Sequence, residues 1–431
     1  MVRDDVAAYV GGTAPAQDLP MPCRLRPTAT LAPVLVAASL ALAACDDFSP
    51  APVEFDQGDV VAVGDVHTLE LRGRVLSSLP ATPPEADPAK VALGRQLFWD
   101  PILSGDRDVA CATCHLPDFG YTDGRRRSIG VGGVGRGPGR VAGSVPLVDR
   151  NAQSVLNTAW NGIDELGRHD VDAAPMFHDN RVAGHAAQAV EAIRSLREMR
   201  GENVAEAAID AELAARLGRI PEYALAFGEL YGGGADRAAG GAVAAVPITL
   251  DAVGDALGHF QRTLVANASP FDRWMRGEPD AMSAAEVSGM QEFVIAGCAD
   301  CHSGALFSDF ETRVLGIEEG AGVSAPDDGD GGFAFRTPTL RQLAFTAPYF
   351  HAGQRATLGA AVDFYDERRR SSNPAVPSSA LDPELLEVPE MDDGRGDAIA
   401  RFLRALNDPG FDRTEPAEVP SGLPVGGSLD R

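Results

Sequence analysis

The sequence is poor in basic residues, and this scarcity argues against one large class of function. Lysine and arginine number 37 against 62 aspartates and glutamates, which gives a formal net charge of −25. Nucleic-acid binding needs clustered cations against the phosphates, so the composition argues against nucleic acid as a partner. The acidic surface could attract a small basic partner protein. An equally good interpretation is that the acidity serves only solubility.

The sequence also lacks an apolar run long enough for a comfortable transmembrane helix. The best candidate, residues 31–44, is rich in Ala, Leu and Val but falls short of the about 20 residues that a span needs. Arg24 and Arg26 precede it, and Leu-Ala-Ala-Cys45 ends it. A basic start, an apolar middle and small residues before the cut are typical of a secretory signal. We interpret residues 1–44 as a leader of the bacterial lipoprotein type, with the lipid on Cys45; an ordinary signal without lipid is the alternative.

The first twenty residues fit such a leader poorly. Asp4, Asp5 and Asp18 are wrong for a positively charged start, so we expect Met21 to be the true first residue. The leader predicts a periplasmic protein that meets the membrane only through the lipid on Cys45.

The patterning beyond the leader predicts a mainly α-helical protein. Strand signals are few and short, and apolar residues at helical spacing begin near Pro88. Ser283 and Glu286 form a capping-box pattern ahead of a further helix. Composition suggests three irregular segments: a tether at residues 45–85, a solvated acidic loop at 318–332 and a loose tail at 413–431.

Cysteine is scarce, and its spacing is poor for a disulfide framework. Two of the six cysteines, Cys23 and Cys45, belong to the leader. The others form two close pairs, each followed directly by histidine: Cys111, Cys114 and His115, then Cys298, Cys301 and His302. Two thiols in a C-x-x-C-H motif can add to the two vinyl groups of one haem, and the histidine then reaches the iron. The alternative, a zinc ion held by both pairs, leaves the two histidines unexplained. The sequence therefore predicts two covalently bound c-type haems, one in each of two domains at residues 86–282 and 283–412.

Several further segments resemble the bacterial di-haem cytochrome c peroxidase family, including its MauG branch. The resemblance runs from about residue 88 to 410 in the family's order and rests on Leu97-Phe98-Trp99-Asp100, Tyr121-Thr122-Asp123-Gly124-Arg125, Arg150-Asn151-Ala152, Phe260-Gln261-Arg262-Thr263-Leu264, Ser269-Pro270-Phe271-Asp272, Thr337-Pro338-Thr339-Leu340-Arg341 and Ala347-Pro348-Tyr349-Phe350-His351. It implies two class I cytochrome c-like domains, with a peroxide-reactive N-terminal haem and a C-terminal haem that relays electrons.

The resemblance also suggests an open coordination position at the first haem. In many relatives a histidine on the loop after the first motif can block this iron. Val131 stands at the corresponding place, and no histidine occurs between His115 and His169. Because an apolar side chain cannot ligate iron, we expect the first haem to be five-coordinate or weakly water-bound.

Two residues keep the family's spacing for the distal side of the first haem. The resemblance makes Glu198 the acid–base group and Gln188 a residue that helps to hold the distal water or oxygen. Cleavage of peroxide needs a base that takes one proton and returns it to the leaving oxygen, and a carboxylate can do both. The alternative for Glu198 is an exposed helix residue paired with Arg194, Arg197 or Arg200.

The position between the haems departs from the family. Phe177-His178-Asp179 stands where the family usually has Phe-Trp-Asp, so His178 is the relay candidate in place of the tryptophan. The alternative is a buried polar residue bonded to the backbone.

The resemblance places the sixth ligand of the second haem at Tyr365, as in the MauG branch, where many peroxidases have Met. A phenolate-type oxygen is harder than a thioether sulfur and favours ferric iron, so it should lower the potential of this haem. The alternative is a tyrosine packed on a helix. His351 lies nearby, but the family uses it as a supporting residue.

A calcium ion between the haems is also implied by the resemblance. Asn151 would supply a side-chain oxygen, and Thr346 and Pro348 would supply backbone carbonyls. Hard oxygen ligands of this kind suit Ca²⁺.

Together these features predict an oxidoreductase that reduces hydrogen peroxide. Two versions stay open: a peroxidase fed by a small redox protein, and a MauG-like enzyme that oxidises a protein side chain. Val131 and Tyr365 favour the second. The alternative outside catalysis is a di-haem electron carrier with both irons fully ligated.

Overall fold

The computed structural model describes residues 57–232, 247–319, 326–366 and 370–429. The predicted leader and Cys45 lie outside these residues. Within the described ranges, no helix combines the length and the hydrophobicity that a membrane crossing would require.

The described chain is mainly α-helical, as the sequence predicts. Its helices are α1 (Pro88–Trp99), α2 (Cys111–Cys114), α3 (His185–Arg194), α4 (Ile209–Gly218), α5 (Pro221–Tyr231), α6 (Leu250–Gln261), α7 (Pro270–Met275), α8 (Ala284–Ile295), α9 (Leu358–Asp366), α10 (Pro383–Glu387) and α11 (Asp393–Arg404). Its strands are β1 (Val61–Val63), β2 (Val66–Leu71), β3 (Arg74–Ser77), β4 (Pro175–Met176), β5 (Val182–Ala183), β6 (Thr312–Arg313) and β7 (Phe335–Arg336). β1–β2–β3, β4–β5 and β6–β7 form three separate antiparallel sheets.

The first hydrophobic core forms where α1 and α3 pack on α6. α1 begins at a favourable signal: Asp87 accepts hydrogen bonds from the backbone of Ala89 and Lys90, and Pro88 takes the first helical position. Gly94 lets α1 approach α6 closely, because a Cβ there would lie 2.0 Å from the carbonyl oxygen of Ala256. This core also contains buried Ala112 of the first C-x-x-C-H motif.

The second hydrophobic core forms between α8 and α11 and surrounds the second motif. The predicted capping box is confirmed, since Ser283 and Glu286 exchange hydrogen bonds at the start of α8. Four buried aromatic rings pack edge to face in its centre, namely Phe271, Phe293, Phe307 and Phe402. Both cores belong to one compact unit. The domain boundary between residues 282 and 283 stays a prediction.

The predicted tether at residues 45–85 is wrong for its described part. β1, β2 and β3 form a sheet whose inward residues Leu69, Leu71 and Leu76 are buried in the second core. Arg74 of β3 also forms a 2.6 Å ion pair with Asp300, inside the second C-x-x-C-H motif. Apolar and polar residues largely alternate along β2, which is typical of a strand. The Pro-rich composition of the surrounding segment instead suggests an irregular tether.

The predicted loose tail at residues 413–431 is wrong as well for the described residues up to 429. Val419 is buried in the first core. Ser421 Oγ donates to Asp100 Oδ1 at 2.6 Å, and Thr113 Oγ1 of the first motif donates to the carbonyl of Gly426 at 2.8 Å. The segment is held by hydrogen bonds to residues some 300 positions earlier, which leave no local pattern in its composition.

A buried ion pair joins the segments around the second core. Arg341 and Asp272 lie 2.8 Å apart with side chains 1% and 0% exposed. Replacing Arg341 with Met should lower the free energy of unfolding by about 3–5 kcal/mol, because the carboxylate of Asp272 stays buried without its cation. Urea titration measures this change.

The control for that titration is Arg273→Met. Arg273 pairs with Glu278 at 3.3 Å, and both side chains are about half exposed. Removing this exposed pair should lower the free energy of unfolding by less than about 1 kcal/mol. Equal losses in the two variants would show that the buried pair has no special role in stability.

Candidate active site

One large cavity of about 970 Å³ runs between residues of both cores. This volume is at the upper end for ligand sites in proteins. The predicted site residues that line it are Cys111, Cys114, His115, Asn151, His178, Gln188, Glu198, Cys298, Cys301, His302, Thr346, Pro348, His351 and Tyr365. The structure therefore brings all of these residues to one continuous space.

The first C-x-x-C-H motif forms the single turn of α2. Cys111 and Cys114 carry free thiols at the cavity wall. His115 Nδ1 lies 3.0 Å from the carbonyl oxygen of Tyr121, a contact that orients the imidazole ring. Burial lowers the pKa of His115 and favours the neutral imidazole, the form that binds metal.

The second motif repeats this arrangement. His302 Nδ1 lies 2.8 Å from the carbonyl oxygen of Phe307, and burial lowers the pKa of this imidazole too. The two acceptor residues, Tyr121 and Phe307, both have left-handed backbone conformations, with φ of 60° and 51°. Such conformations are unfavourable for bulky residues and persist where the surroundings enforce them. In both motifs, this conformation accompanies a carbonyl group that lies within hydrogen-bond distance of the histidine.

These residues fit two haems better than a zinc ion. Each motif offers two free thiols and one oriented imidazole at the wall of a largely apolar cavity. In the described part of the chain, no group of three or more His, Cys, Asp and Glu side chains could hold a metal ion. A zinc ion shared by the two cysteine pairs therefore has no support.

Glu198 lies on a single π-helical turn, Leu196–Arg200, after α3. Single π-turns occur frequently at functional sites. The pKa of Glu198 is raised to about 7, mainly because burial disfavours the charged carboxylate; the charge of Arg181 opposes this shift, and the charge of Glu191 adds to it. Glu198 and Gln188 both line the cavity.

The arginine-paired alternative for Glu198 is not what the structure shows. Each of the three candidate cations has other partners: Arg194 pairs with Asp210, Arg197 with Asp149, and Arg200 binds backbone carbonyls and approaches Glu206. The carboxyl group of Glu198 instead faces the cavity near Cys111 and Cys114.

Val131 is 1% exposed and packs in the first core instead of lining the cavity. Its loop is positioned by Gly130, where a Cβ would lie 2.1 Å from the carbonyl oxygen of Arg197 and 2.5 Å from that of Glu198. Only glycine permits this close approach between the loop and the π-turn.

His178 lies at the cavity wall and is bound to the backbone. Its Nε2 is 3.1 Å from the carbonyl oxygen of Asn151, and its own carbonyl accepts from the backbone N–H of Arg336 at 2.7 Å. Burial lowers the pKa of His178 to about 3, so the ring is neutral at ordinary pH. These contacts agree with the bonded, buried alternative and leave the relay role a prediction.

Tyr365 projects from α9 into the part of the cavity that contains Cys298 and Cys301. Burial raises the pKa of its phenol, and the two cysteines add to the shift. His351 is engaged elsewhere: its ring stacks on Phe335 at 3.9 Å, and its Nε2 lies 3.1 Å from the side-chain nitrogen of Gln354.

A backbone hydrogen bond links the segment of Asn151 to the loop that carries the other two predicted calcium ligands. The N–H of Asn151 donates to the carbonyl of His351 at 2.6 Å, which joins this segment to the loop that carries Thr346 and Pro348. The side-chain nitrogen of Asn151 donates to the carbonyl of Arg125. All three residues line the cavity, and the calcium site itself stays a prediction.

Sequence reasoning missed an ion-pair network at the cavity wall. Arg150 pairs with Asp179 and Asp327 at 2.6 Å each, and Asp179 also pairs with Arg181 at 2.8 Å. Asp327 belongs to the acidic loop that composition assigns to solvent. Its partner is 177 residues away, so no local signal could reveal the pair.

Several known proteins are similar to this chain, and their descriptions agree with one another. A profile described as di-haem cytochrome c peroxidase matches residues 88–280. The methylamine utilization protein MauG of Methylorubrum extorquens is 33% identical over 398 residues, which cover 90% of this chain and 94% of that protein. Cytochrome-c peroxidase IdrP1 of a Pseudomonas species is 32% identical over 381 residues, and this match covers 77% of this chain and 85% of that protein. The crystal structure of a MauG-like protein associated with microbial copper homeostasis matches with a TM-score of 0.58 and 25% identity, covering 77% of this chain and 92% of that one.

Proposed function

Because the chain belongs to the di-haem cytochrome c peroxidase and MauG family, we propose that it reduces hydrogen peroxide at a haem held by His115. Electrons reach that site through a second haem, held by His302. Overall, one peroxide, two electrons and two protons give two molecules of water. The observation that carries the proposal is a cavity-facing Glu198 beside the first motif, free of the neighbouring arginines.

The two C-x-x-C-H motifs would hold the haems within class I cytochrome c-like domains. Cys111 and Cys114 would form the thioether bonds of the first haem, and Cys298 and Cys301 those of the second. Haem supplies a redox-active iron that binds peroxide and exchanges electrons. The carbonyls of Tyr121 and Phe307 hold the two proximal imidazoles in one orientation and one tautomer.

Glu198 would act as the acid–base group. Its carboxylate takes the proton from the bound oxygen of peroxide and returns it to the leaving oxygen, which departs as water. A pKa of about 7 suits both steps near neutral pH, because neither form of the carboxyl group is scarce there. Gln188, on the same side of α3 as the cavity, would hold the distal water or oxygen.

The position opposite His115 would stay open. Val131 is buried in the first core and has no atom that ligates iron. The histidines that line the cavity in the described chain are His115, His178, His302 and His351. His178 and His351 both have other hydrogen-bond partners, so neither is a free candidate for this position.

Tyr365 would be the sixth ligand of the second haem. It shares its part of the cavity with Cys298 and Cys301. An oxygen ligand favours ferric iron and should give this haem a lower potential than a Met ligand would.

His178 would occupy the place between the haems as the relay candidate. The neutral ring of His178 lies within hydrogen-bond distance of the backbone carbonyl of Asn151, whose side chain would supply a calcium ligand. We propose that Asn151, Thr346 and Pro348 hold Ca²⁺ there with their oxygen atoms.

The physiological reductant would be either a small redox protein or an oxidisable side chain of a protein substrate. Val131 and Tyr365 favour the MauG-like version. The acidic surface would suit a basic partner, with the enzyme exported to the periplasm and tethered by lipid on Cys45.

The test is to mix the ferric protein with one equivalent of hydrogen peroxide and follow its absorption spectrum. The proposal predicts that peroxide is consumed and the haem bands change. Long persistence without a donor supports the MauG-like version, whereas turnover that requires a reduced cytochrome supports the peroxidase version. Unchanged spectra and intact peroxide would identify a non-enzymatic electron carrier.

A further inference from the structure

Six arginines line the cavity, and five of them are paired with carboxylates. Their nearest ion-pair distances are 2.6 Å for Arg150, 2.7 Å for Arg181, 2.5 Å for Arg197, 2.5 Å for Arg313 and 2.8 Å for Arg341. Arg336 is the exception. Its guanidinium group has no carboxylate partner within the described ranges.

The contacts of Arg336 leave much of its guanidinium group unsatisfied. Nη1 donates to the carbonyl of Pro175 at 2.6 Å, and the group lies 5.9 Å from the ring of Phe310. Nε is buried and has no hydrogen-bond partner. Arg336 lies on β7 and Pro175 lies on β4, so this hydrogen bond joins the second half of the sequence to the first.

A buried cation of this kind requires an anion. Burial lowers the pKa of Arg336 to about 10, which still leaves the side chain charged at neutral pH. A buried charge is strongly unfavourable unless it is paired and hydrogen-bonded. Asp179 acts on Arg336 only from a distance and already binds Arg150 and Arg181.

The cofactor expected in the cavity carries suitable anions. Each haem has two propionate groups, and thioether bonds to the cysteines leave both of them free. A carboxylate and a guanidinium group match in charge and in the geometry of two parallel hydrogen bonds. We propose that Arg336 binds a propionate of one of the two haems and thereby sets the potential of that haem. The inference rests on the proposed attachment of haem at both motifs.

The experiment compares Arg336→Met and Arg336→Lys with the wild-type protein, each loaded with haem. Loss of the cation beside the propionate should favour the more positive, ferric state of the iron. We expect Arg336→Met to lower the equilibrium constant for reduction of one haem by about tenfold, equivalent to about 59 mV for one electron. Arg336→Lys keeps a positive charge, so we expect the reduction potential of that haem to stay close to the wild-type value. Redox titration that resolves the two haems measures both effects and identifies the haem involved.

A matched control is Arg197→Met, which removes another cation from the cavity wall. Arg197 is paired with Asp149, and Asp149 keeps its second partner, Arg127, at 2.9 Å. We expect this variant to change either equilibrium constant by less than about twofold. A shift as large as that of Arg336→Met would overturn the specific role of Arg336.

Resonance Raman spectra of the propionate bending modes give a second readout. Arg336→Met and Arg336→Lys should both shift the mode of one haem, because its hydrogen-bond donor changes. If the Met variant accumulates without haem, the Lys variant decides alone. Unchanged modes and potentials in a variant with two haems overturn this inference only. A wild-type protein without covalent haem in a pyridine haemochrome assay overturns the proposed function with it.

Discussion

Replacement of Glu198 by Gln should slow the reaction with hydrogen peroxide by about 100- to 10,000-fold, the usual contribution of a general acid–base group. Glutamine has nearly the same shape but cannot take the proton from peroxide. Stopped-flow absorption at the haem bands measures the rate, and a haem assay confirms that both haems are still attached.

Glu191→Gln is the matched control for this variant. Glu191 lies seven positions earlier, pairs with Arg181 at 2.7 Å and influences Glu198 only through its charge. We expect the rate of this variant to stay within a few-fold of wild type. A similar loss in both variants, or no loss in Glu198→Gln, would mean that the carboxyl group of Glu198 transfers no proton in the reaction.

The pH profile gives the same assignment a second test. The carboxylate form of Glu198 is the base, and its pKa is about 7. The rate should therefore rise with pH as Glu198 loses its proton and level off above neutral pH. Glu191→Gln should move this transition to lower pH, because it removes a negative charge that raises the pKa. The transition should be absent in Glu198→Gln.

Replacement of Tyr365 by Met should raise the potential of the second haem. Axial ligands move haem potentials across about 0.8 V, and a soft thioether stabilises ferrous iron relative to an oxygen ligand. We expect a change of more than tenfold in the equilibrium constant for reduction, which is about 59 mV. Spectroelectrochemical titration measures the shift.

Tyr365→Phe separates ligation from packing. It keeps the ring against Phe350 and Phe364 but removes the oxygen, so the second haem should lose its sixth ligand. Burial raises the pKa of the free phenol, and coordination to a cationic iron would lower it.

The control for these substitutions is Tyr349→Phe, in the same cavity. Tyr349 lines the same cavity, and its hydroxyl group already donates to the carbonyl of Leu343 at 2.8 Å. We expect Tyr349→Phe to leave the reduction potential and the absorption spectrum of the second haem unchanged. If Tyr365→Phe behaves like Tyr349→Phe, Tyr365 is a packing residue and the iron has another ligand.

Local patterns carried most of what could be predicted from the sequence. The C-x-x-C-H motifs are contiguous, and each one contains the two cysteines and the histidine expected to attach its haem. The capping box at Ser283 is a signal of four residues, and the structure confirms it. Such features depend on near neighbours in the chain, so composition and spacing reveal them directly.

Long-range contacts explain what could not be predicted. The tail is held by the bond from Thr113 to Gly426, whose residues are 313 positions apart, and Arg150 pairs with Asp327 across 177 positions. The left-handed conformations of Tyr121 and Phe307 leave no sequence signal either, because neither residue is glycine. Their role emerges only from the histidines that they orient.

Electron paramagnetic resonance of the ferric protein, before any peroxide is added, distinguishes an open iron at His115 from a fully ligated one. We expect one high-spin haem with an open or weakly water-bound position at His115 and one low-spin, six-coordinate haem at His302. The high-spin signal alone should respond when a small ligand such as cyanide is added. Two low-spin, six-coordinate signals that do not change would show that neither iron has an open position for peroxide.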